Sequence, residues 1–362
     1  MNAYIVEKQA LMKNIEILRK RMGNTLIWGV LKGDGYGIGA VELAQLLYAQ
    51  GIDHFAVCDL QEARALRDAG FDEAAIFMMR CTADPTEIDE LLDLRVILSV
   101  GSAADAKRID ALAAQRSCVA EAHLKIDTGM GRFGFLPDET GQMISVYANY
   151  KHLAVTGVYT HFHSAHNPKR TEAQFVQFQN ALEVIRAAGY EPGMVHCCNS
   201  TAAWRYGAMR CDGVRLGSAL LGRVGWAARA GLTPIGYCEA SIEALRTLPA
   251  GHTVGYACGY KAKEDTPIAV VGAGWCNGFG VDRGFDLWRP KDCLRGVGRY
   301  LKALLQKKAL YVTIGGKPCK VLGHVGMVNM VVDVSGLRCK LGDPVVVPIN
   351  PVLQKNLEIV YR

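Results

Sequence analysis

The feature that most constrains this chain is a regular alternation of short apolar runs and helically patterned stretches through its first two-thirds. TLIWGVLK (25–32), HFAVC (54–58), AIFMM (75–79), RVILSV (95–100), CVAEAHLKI (118–126), LAVTGVYTH (153–161), MVHCCN (194–199) and GVRLG (213–217) have the length and content of strands. Between them, stretches such as GAVELAQLLYAQ (39–50), LQEARALRDAG (60–70) and RTEAQFVQFQNALEVIRAAG (170–189) place apolar residues at helical spacing. Strands joined by helical crossovers run parallel. Eight such units predict an α/β fold, a (β/α)8 TIM barrel, for which roughly 250 residues is the usual length. Strand counting alone leaves a doubly wound open sheet as the alternative. From about residue 230 the texture changes to short β-rich runs broken by Gly, Pro and Asp, among them TPIAVVGAG, MVVDVSGL and PVVVPI. The expected architecture is a barrel over 1–228 followed by a C-terminal antiparallel β domain over 229–362, with the chain's first strand free to join the second domain.

Composition narrows the class of protein. Half the residues are hydrophobic and 21% are charged, which excludes long disorder and fibrous repeats. The net charge of +6 comes from 41 basic and 35 acidic residues interspersed along the chain, so no nucleic-acid footprint is expected. The twelve cysteines form no CxxC and no Cys/His group at zinc spacing, and most lie in apolar runs. They read as reduced structural thiols, with no metal site. MNAYIVEKQALMKNIEILRK is amphipathic and charged, unlike a signal peptide, and no apolar stretch reaches membrane-helix length. A cytoplasmic protein without a membrane partner is the expectation.

A barrel of this kind carries its site where the strands end. Lys32 ends the first strand and is followed by GDGYG; KIDTGMGRFGF (125–135) follows the fifth, with Lys125, Asp127 and Arg132. His161, His163 and His166 follow the sixth strand, Asn199 and Ser200 the seventh, and Arg215, Gly217 and Ser218 belong to the eighth. Five polar strand ends after apolar runs point to one site. A lysine desolvated there is suited to Schiff-base chemistry. Small residues and hydroxyls after the last two strands suit a phosphate against backbone N–H groups. A lysine and a phosphate cradle together point to pyridoxal phosphate.

The motif set resembles the alanine racemase family over nearly the whole chain. It is carried by VLKGDGYGIG (30–39), KIDTGMGRFG (125–134), His161-Phe162, Asn199-Ser200, Val214-Arg215 and VGYA (254–257), in order and at compatible spacing. The resemblance implies a homodimer with shared active sites that interconverts L- and D-alanine for peptidoglycan by a two-base mechanism. By resemblance, Lys32 holds the cofactor and is one base, and Tyr256 of the second subunit is the other. Tyr36, Asn199, Ser200, Gly217 and Ser218 would hold the cofactor, chiefly at its phosphate. Arg132 would bind its phenolic oxygen and the substrate carboxylate, with Met327 on the substrate side. Lys125 matches a lysine that is often carbamylated and orients that arginine. Arg215 would face the ring nitrogen, with His161 at the ring or supporting Tyr256.

The chemistry agrees with these roles. Racemisation removes a Cα proton on one face and returns one on the other, which calls for two bases. A tyrosine, with an ordinary pKa of roughly 10, serves as a base only beside positive charge. Arginine stays protonated and leaves a ring nitrogen facing it unprotonated, which weakens the electron sink and disfavours decarboxylation. The family's G-Y-[AG]-D-G-[YW] motif is GWCNGF (274–279) here, so Trp275 replaces a tyrosine. Its R-x-[CA]-M-D-x motif is HVGMVN (324–329), with His324 for arginine and Val328 for aspartate. The tyrosine that contacts phosphate near the C-terminus has no clear match, and Asn350 or Asn356 are candidates for its place. An asparagine there occurs in the serine-racemising branch, so serine is the alternative substrate. Another pyridoxal phosphate reaction on this fold, a single-barrel cofactor carrier and a degenerate, inactive racemase are the remaining readings.

Overall fold

Apolar runs rich in Val, Ile and Phe pair into two eight-stranded sheets that share no strand, beside one two-stranded sheet. The computed structural model describes residues 2–281, 284 and 286–362. It divides into the unit Lys8–Ile235 and a second unit made of Met1–Glu7 with Gly236–Arg362. Strand β1 (Ala3–Val6) belongs to the second unit, where it pairs antiparallel to β10 (Gly236–Leu248) and parallel to β18 (Glu358–Tyr361).

The first unit contains the eight expected strands: β2 (Leu26–Val30), β3 (His54–Val57), β4 (Ala75–Met78), β5 (Leu98–Val100), β6 (Ala120–Lys125), β7 (Leu153–Tyr159), β8 (Met194–Asn199) and β9 (Gly213–Leu216). They lie parallel in the order β4-β3-β2-β9-β8-β7-β6-β5. A parallel bridge between Phe77 and Ile97 joins the two ends, so the sheet closes into a barrel. The open-sheet alternative is thereby excluded. Trp28, Val30, Ala56, Phe77 and Tyr159 fill part of the interior. Each large apolar side chain buried this way stabilises the fold by about 1.5–3 kcal/mol. Helices follow the strands with caps that fix their starts. At Leu60–Asp68 the Asp59 carboxylate accepts from the Gln61 N–H at 2.9 Å while Glu62 accepts from the Asp59 N–H at 3.2 Å, a capping box.

In the second unit, β13 (Thr266–Val271), β14 (Tyr311–Ile314), β15 (Lys317–Leu322), β16 (Met330–Asp333) and β17 (Pro344–Val347) close a ring with β10 in the order β13-β16-β15-β14-β17-β10. The long β10 serves both ends of this ring because its register shifts between Ile242 and Ala244, turning the strand from β17 toward β13. A hairpin of β11 (Thr253–Val254) and β12 (Tyr260–Lys261) stands apart. The sequence reading gives this unit strands alone, but the structure adds a sixteen-residue helix, Pro290–Leu305. Its Leu294, Val297, Leu301 and Leu304 recur at helical spacing, a signal diluted by Gly296, Gly298 and the β-rich surroundings. Among the described residues no helix is long and apolar enough to cross a membrane.

Candidate active site

At the ends of the barrel strands lies a cavity of about 330 Å3, lined by Lys32, Tyr36, His161, Asn199, Ser200, Arg215, Gly217 and Ser218, with Val30, Met79, Phe162, His163, Ala165, His166 and Thr201 completing its wall. Ten of the residues singled out by sequence meet there, His163 and His166 among them. Parallel strands put all their C-terminal ends on one side, so separate motifs converge without being near in sequence.

Lys32 is held by an unusual backbone. Gly33, Asp34, Gly35 and Tyr36 all have left-handed φ values of 66°, 50°, 61° and 60°. The two glycines take this conformation freely, whereas each non-glycine costs about 1–2 kcal/mol. Local bonds offset the cost. Buried Glu62 accepts from the Asp34 N–H at 3.1 Å, and Asp34 Oδ1 accepts from the Ala40 N–H at 2.8 Å. The turn carries Tyr36 back over β9, where a Cβ on Gly217 would lie 2.2 Å from the Tyr36 Oη. Only glycine admits that approach. Burial pushes the Tyr36 phenol up to about 12, so it stays a hydrogen-bond donor at neutral pH.

The contacts of the later strands form a second system. Asn199 caps the short Ser200–Arg205 helix through Thr201 and Ala202 N–H groups at 3.2 and 3.1 Å and donates to the Phe162 carbonyl at 3.1 Å. Ser200 Oγ accepts from Gly217 and Ala219 N–H groups at 3.2 and 3.3 Å, tying β8 to β9. Arg215 is fully enclosed. Its guanidinium donates to the Thr160 carbonyl at 2.7 Å, to His196 Nδ1 at 2.6 Å and to His161 Nδ1 at 3.4 Å.

Because arginine only donates, His196 must accept at Nδ1 and carry its proton on Nε2. That proton points at His123 Nδ1, 2.8 Å away. Burial, followed by the nearby Arg215 charge, lowers His123 to about 3 and holds His161 and His196 well below the usual imidazole range. The three rings are therefore neutral, and the Arg215–His196–His123 chain fixes the guanidinium in place. Sequence reading missed His123 and His196. Both lie mid-strand in otherwise apolar runs, and the only signal was a polar residue at an inward-facing register position.

Other expected residues lie nearby or elsewhere. Lys125 is buried beneath the site with Nζ 4.5 Å from the Tyr159 ring centroid, and burial lowers its ammonium to about 8. Asp127 accepts four backbone N–H groups, those of Gly129, Met130, Gly131 and Arg132, at 2.7–3.1 Å, and so shapes its loop. Arg132 is not in the wall of the Lys32 cavity. It lines a neighbouring cleft with Cys81, Thr82, Ser102 and Phe133. In the second unit, Tyr256 stands in a one-turn 3-10 helix and is 82% exposed. Its turn neighbours His324, since a Cβ on Gly255 would lie 3.5 Å from the His324 nitrogen. Trp275 and Cys276 N–H groups donate to the Gly326 and Met327 carbonyls at 3.0 Å each. Tyr256, Trp275, Met327 and Val328 are thus carried on adjoining turns, all exposed. Asn350 accepts from the Val352 N–H at 3.3 Å and caps a short turn. Among the described residues no group of His, Cys, Asp and Glu could hold a metal ion.

The alanine racemase N-terminal domain family matches residues 6–224, and the alanine racemase C-terminal domain family matches residues 235–357. The chain is 31% identical over 346 residues to an alanine racemase of Methylacidiphilum infernorum, covering 94% of this chain and 81% of the relative. It is 32% identical over 351 residues to one of Desulforamulus reducens, covering 94% and 88%. Among solved structures, the alanine racemase of Streptomyces coelicolor superposes with a TM-score of 0.85 at 25% identity, over 99% of this chain and 97% of that one. That of Clostridium difficile 630 gives the same TM-score at 24% identity, over 100% and 95%, and speaks to the fold alone. With both domain families matched in order over nearly its whole length, the chain belongs to the alanine racemase family.

Proposed function

We propose that this protein is a pyridoxal phosphate-dependent racemase that interconverts L- and D-alanine. The observation that carries the reading is the convergence of Lys32, buried Arg215 and the Tyr36–Gly217 cradle on one cavity. Those residues fit the cofactor. Ser200, Ser218 and the Tyr36 phenol offer donors for a phosphate where Gly217 leaves no room for a side chain. A permanently charged Arg215, held through its two terminal nitrogens, suits the ring-nitrogen end, and the Lys32 amine suits the carbonyl. When bound, the cofactor supplies an electron-withdrawing ring that accommodates the pair left by the broken Cα–H bond.

The chain's own residues then divide the work. Lys32 Nζ takes or returns the proton on one face of Cα, and Tyr256 Oη of a second subunit does so on the other. Arg215 cannot release its proton, and its hold by His196 and two backbone carbonyls keeps it from turning away. His161 and Arg132 are read as supporting groups, Arg132 toward the substrate carboxylate and Met327 on the substrate side. Lys125, whose ammonium is lowered to about 8, has the neutral amine that carbamylation requires within reach near physiological pH.

Serine is the second reading, favoured by His163 and His166, whose imidazoles add polar groups to the cavity wall where a β-hydroxyl could bond. The test is to incubate the cofactor-loaded enzyme with L-alanine and with L-serine and resolve the enantiomers. D-alanine formed faster than D-serine supports the alanine reading, the reverse order supports serine, and formation of neither overturns both.

A further inference from the structure

The Pro290–Leu305 helix carries its large apolar side chains in the open. At 3.6 residues per turn, Asp292, Gly296 and Ala303 share one side, and the first two are buried, Asp292 by its ion pairs with Arg289 and Arg295. Leu294, Val297, Leu301, Leu304 and Leu305 share an arc on the outward side. Leu294 is 73% exposed, Leu304 74% and Leu305 83%. Trp288 before the helix and Tyr300 within it are also exposed. A soluble helix normally buries such an arc, and a contiguous exposed apolar stripe marks a surface that something covers.

Charge indicates what covers it. Lys291, Arg295, Arg299 and Lys302 occupy the arc along one edge of the apolar stripe, and exposed Lys307 and Lys308 follow. The helix's one acid, Asp292, lies opposite the stripe and is paired with Arg289 at 2.6 Å and Arg295 at 3.5 Å. A two-fold contact between copies of this helix would set the same cations against each other. An apolar stripe flanked by cations, with Trp and Tyr rings beside it, has the chemistry of a helix lying in a lipid interface. At sixteen residues it would extend about 24 Å along that surface, too short and too charged to cross it.

We propose that the Pro290–Leu305 helix docks this protein on an anionic lipid membrane. The sequence reading, which considers spanning segments alone, expects no membrane partner. The proposal does not rest on the racemase reading, because binding is measured without turnover.

The test is co-sedimentation of the full cofactor-loaded chain with phosphatidylcholine vesicles containing roughly 30% phosphatidylglycerol, against pure phosphatidylcholine vesicles. The expected result is binding to the anionic vesicles only, lost as salt rises. Leu301→Glu with Leu304→Glu should lower the bound fraction about tenfold or more, and Arg295→Glu with Lys302→Glu should abolish binding, both with unchanged circular dichroism and cofactor absorbance. Absence of wild-type binding, equal binding to both vesicle types, or full binding by either variant overturns the proposal. So does a leucine double variant that turns a dimer into a monomer while no form binds vesicles, which would assign the face to a second copy of the chain.

Discussion

The barrel cavity and the exposed turns of the C-terminal unit treat their polar and apolar groups in opposite ways. In the barrel, the charged side chains that frame the site are buried and have partners within the chain: Arg215 has carbonyls and imidazoles, Glu62 has backbone N–H groups, and Asp127 has four. In the C-terminal unit, large side chains such as Tyr256, Trp275, Met327 and the leucines of Pro290–Leu305 are left exposed. The first region is a set of groups that folding alone preorganises. The second is a set of surfaces whose complement lies outside the chain. For Tyr256 and its neighbouring turns that complement is a second subunit, and for the helix it is lipid, as proposed above.

The largest expected effect falls in the barrel. Lys32→Ala removes the one amine in the cavity wall placed to hold a carbonyl cofactor. It should abolish visible cofactor absorbance and lower racemisation by about a thousandfold or more. Retained absorbance would mean that another lysine holds the cofactor, and would break the comparison at its stronger side.

A smaller loss is expected from Gly217→Ala, because the added methyl would meet the Tyr36 hydroxyl at 2.2 Å. Cofactor affinity should fall about tenfold or more, with overpacking typically costing about 1–3 kcal/mol. Tyr36→Ala in the same chain relieves the clash, so the double variant should fold as stably as Tyr36→Ala alone. An additive loss, measured by thermal unfolding, would show that the cradle is not what the geometry implies.

The third effect is on stability and concerns the buried imidazoles. His123 and His196 are neutral in the fold, with folded pKa values below the ordinary imidazole value. Their contribution is present above about pH 6.5 and is lost as pH falls toward about 3, because the unfolded chain binds protons that the folded one refuses. Stability should therefore drop by a few kcal/mol between about pH 6.5 and 4. His123→Gln should flatten that drop. A wild-type profile level over this interval would mean that the rings are charged or the barrel interior is open to water.

Much of this arrangement is legible in the sequence, for a physical reason. Eight parallel strands end on one side, so a polar residue closing an apolar run is already placed in space. Lys32, Ser200, Arg215 and Gly217 can be assembled that way without any contact information. What escapes is whatever depends on barrel closure or on packing. His123 and His196 lie within strands, where the inward face is known only once the sheet has closed through Phe77 and Ile97. The turn from Gly33 to Tyr36 is glycine-punctuated in sequence as GDGY, yet its uniformly left-handed course is visible only in the structure. Pro290–Leu305 has helical spacing, but its two glycines and its setting among strands obscure it. That its apolar stripe is left exposed is visible only in the structure.

If the exposed Tyr256 of one subunit completes the cavity of another, subunit mixing tests that completion directly. Lys32→Ala lacks the barrel base and Tyr256→Phe lacks the contributed one, so neither homodimer should racemise alanine appreciably. Co-assembled, the two variants should form mixed dimers with one intact site, and activity should recover to about a quarter of wild type for random pairing of a two-fold dimer. A mixture that stays as inactive as its parents, with mixed dimers demonstrated to form, would contradict the shared site.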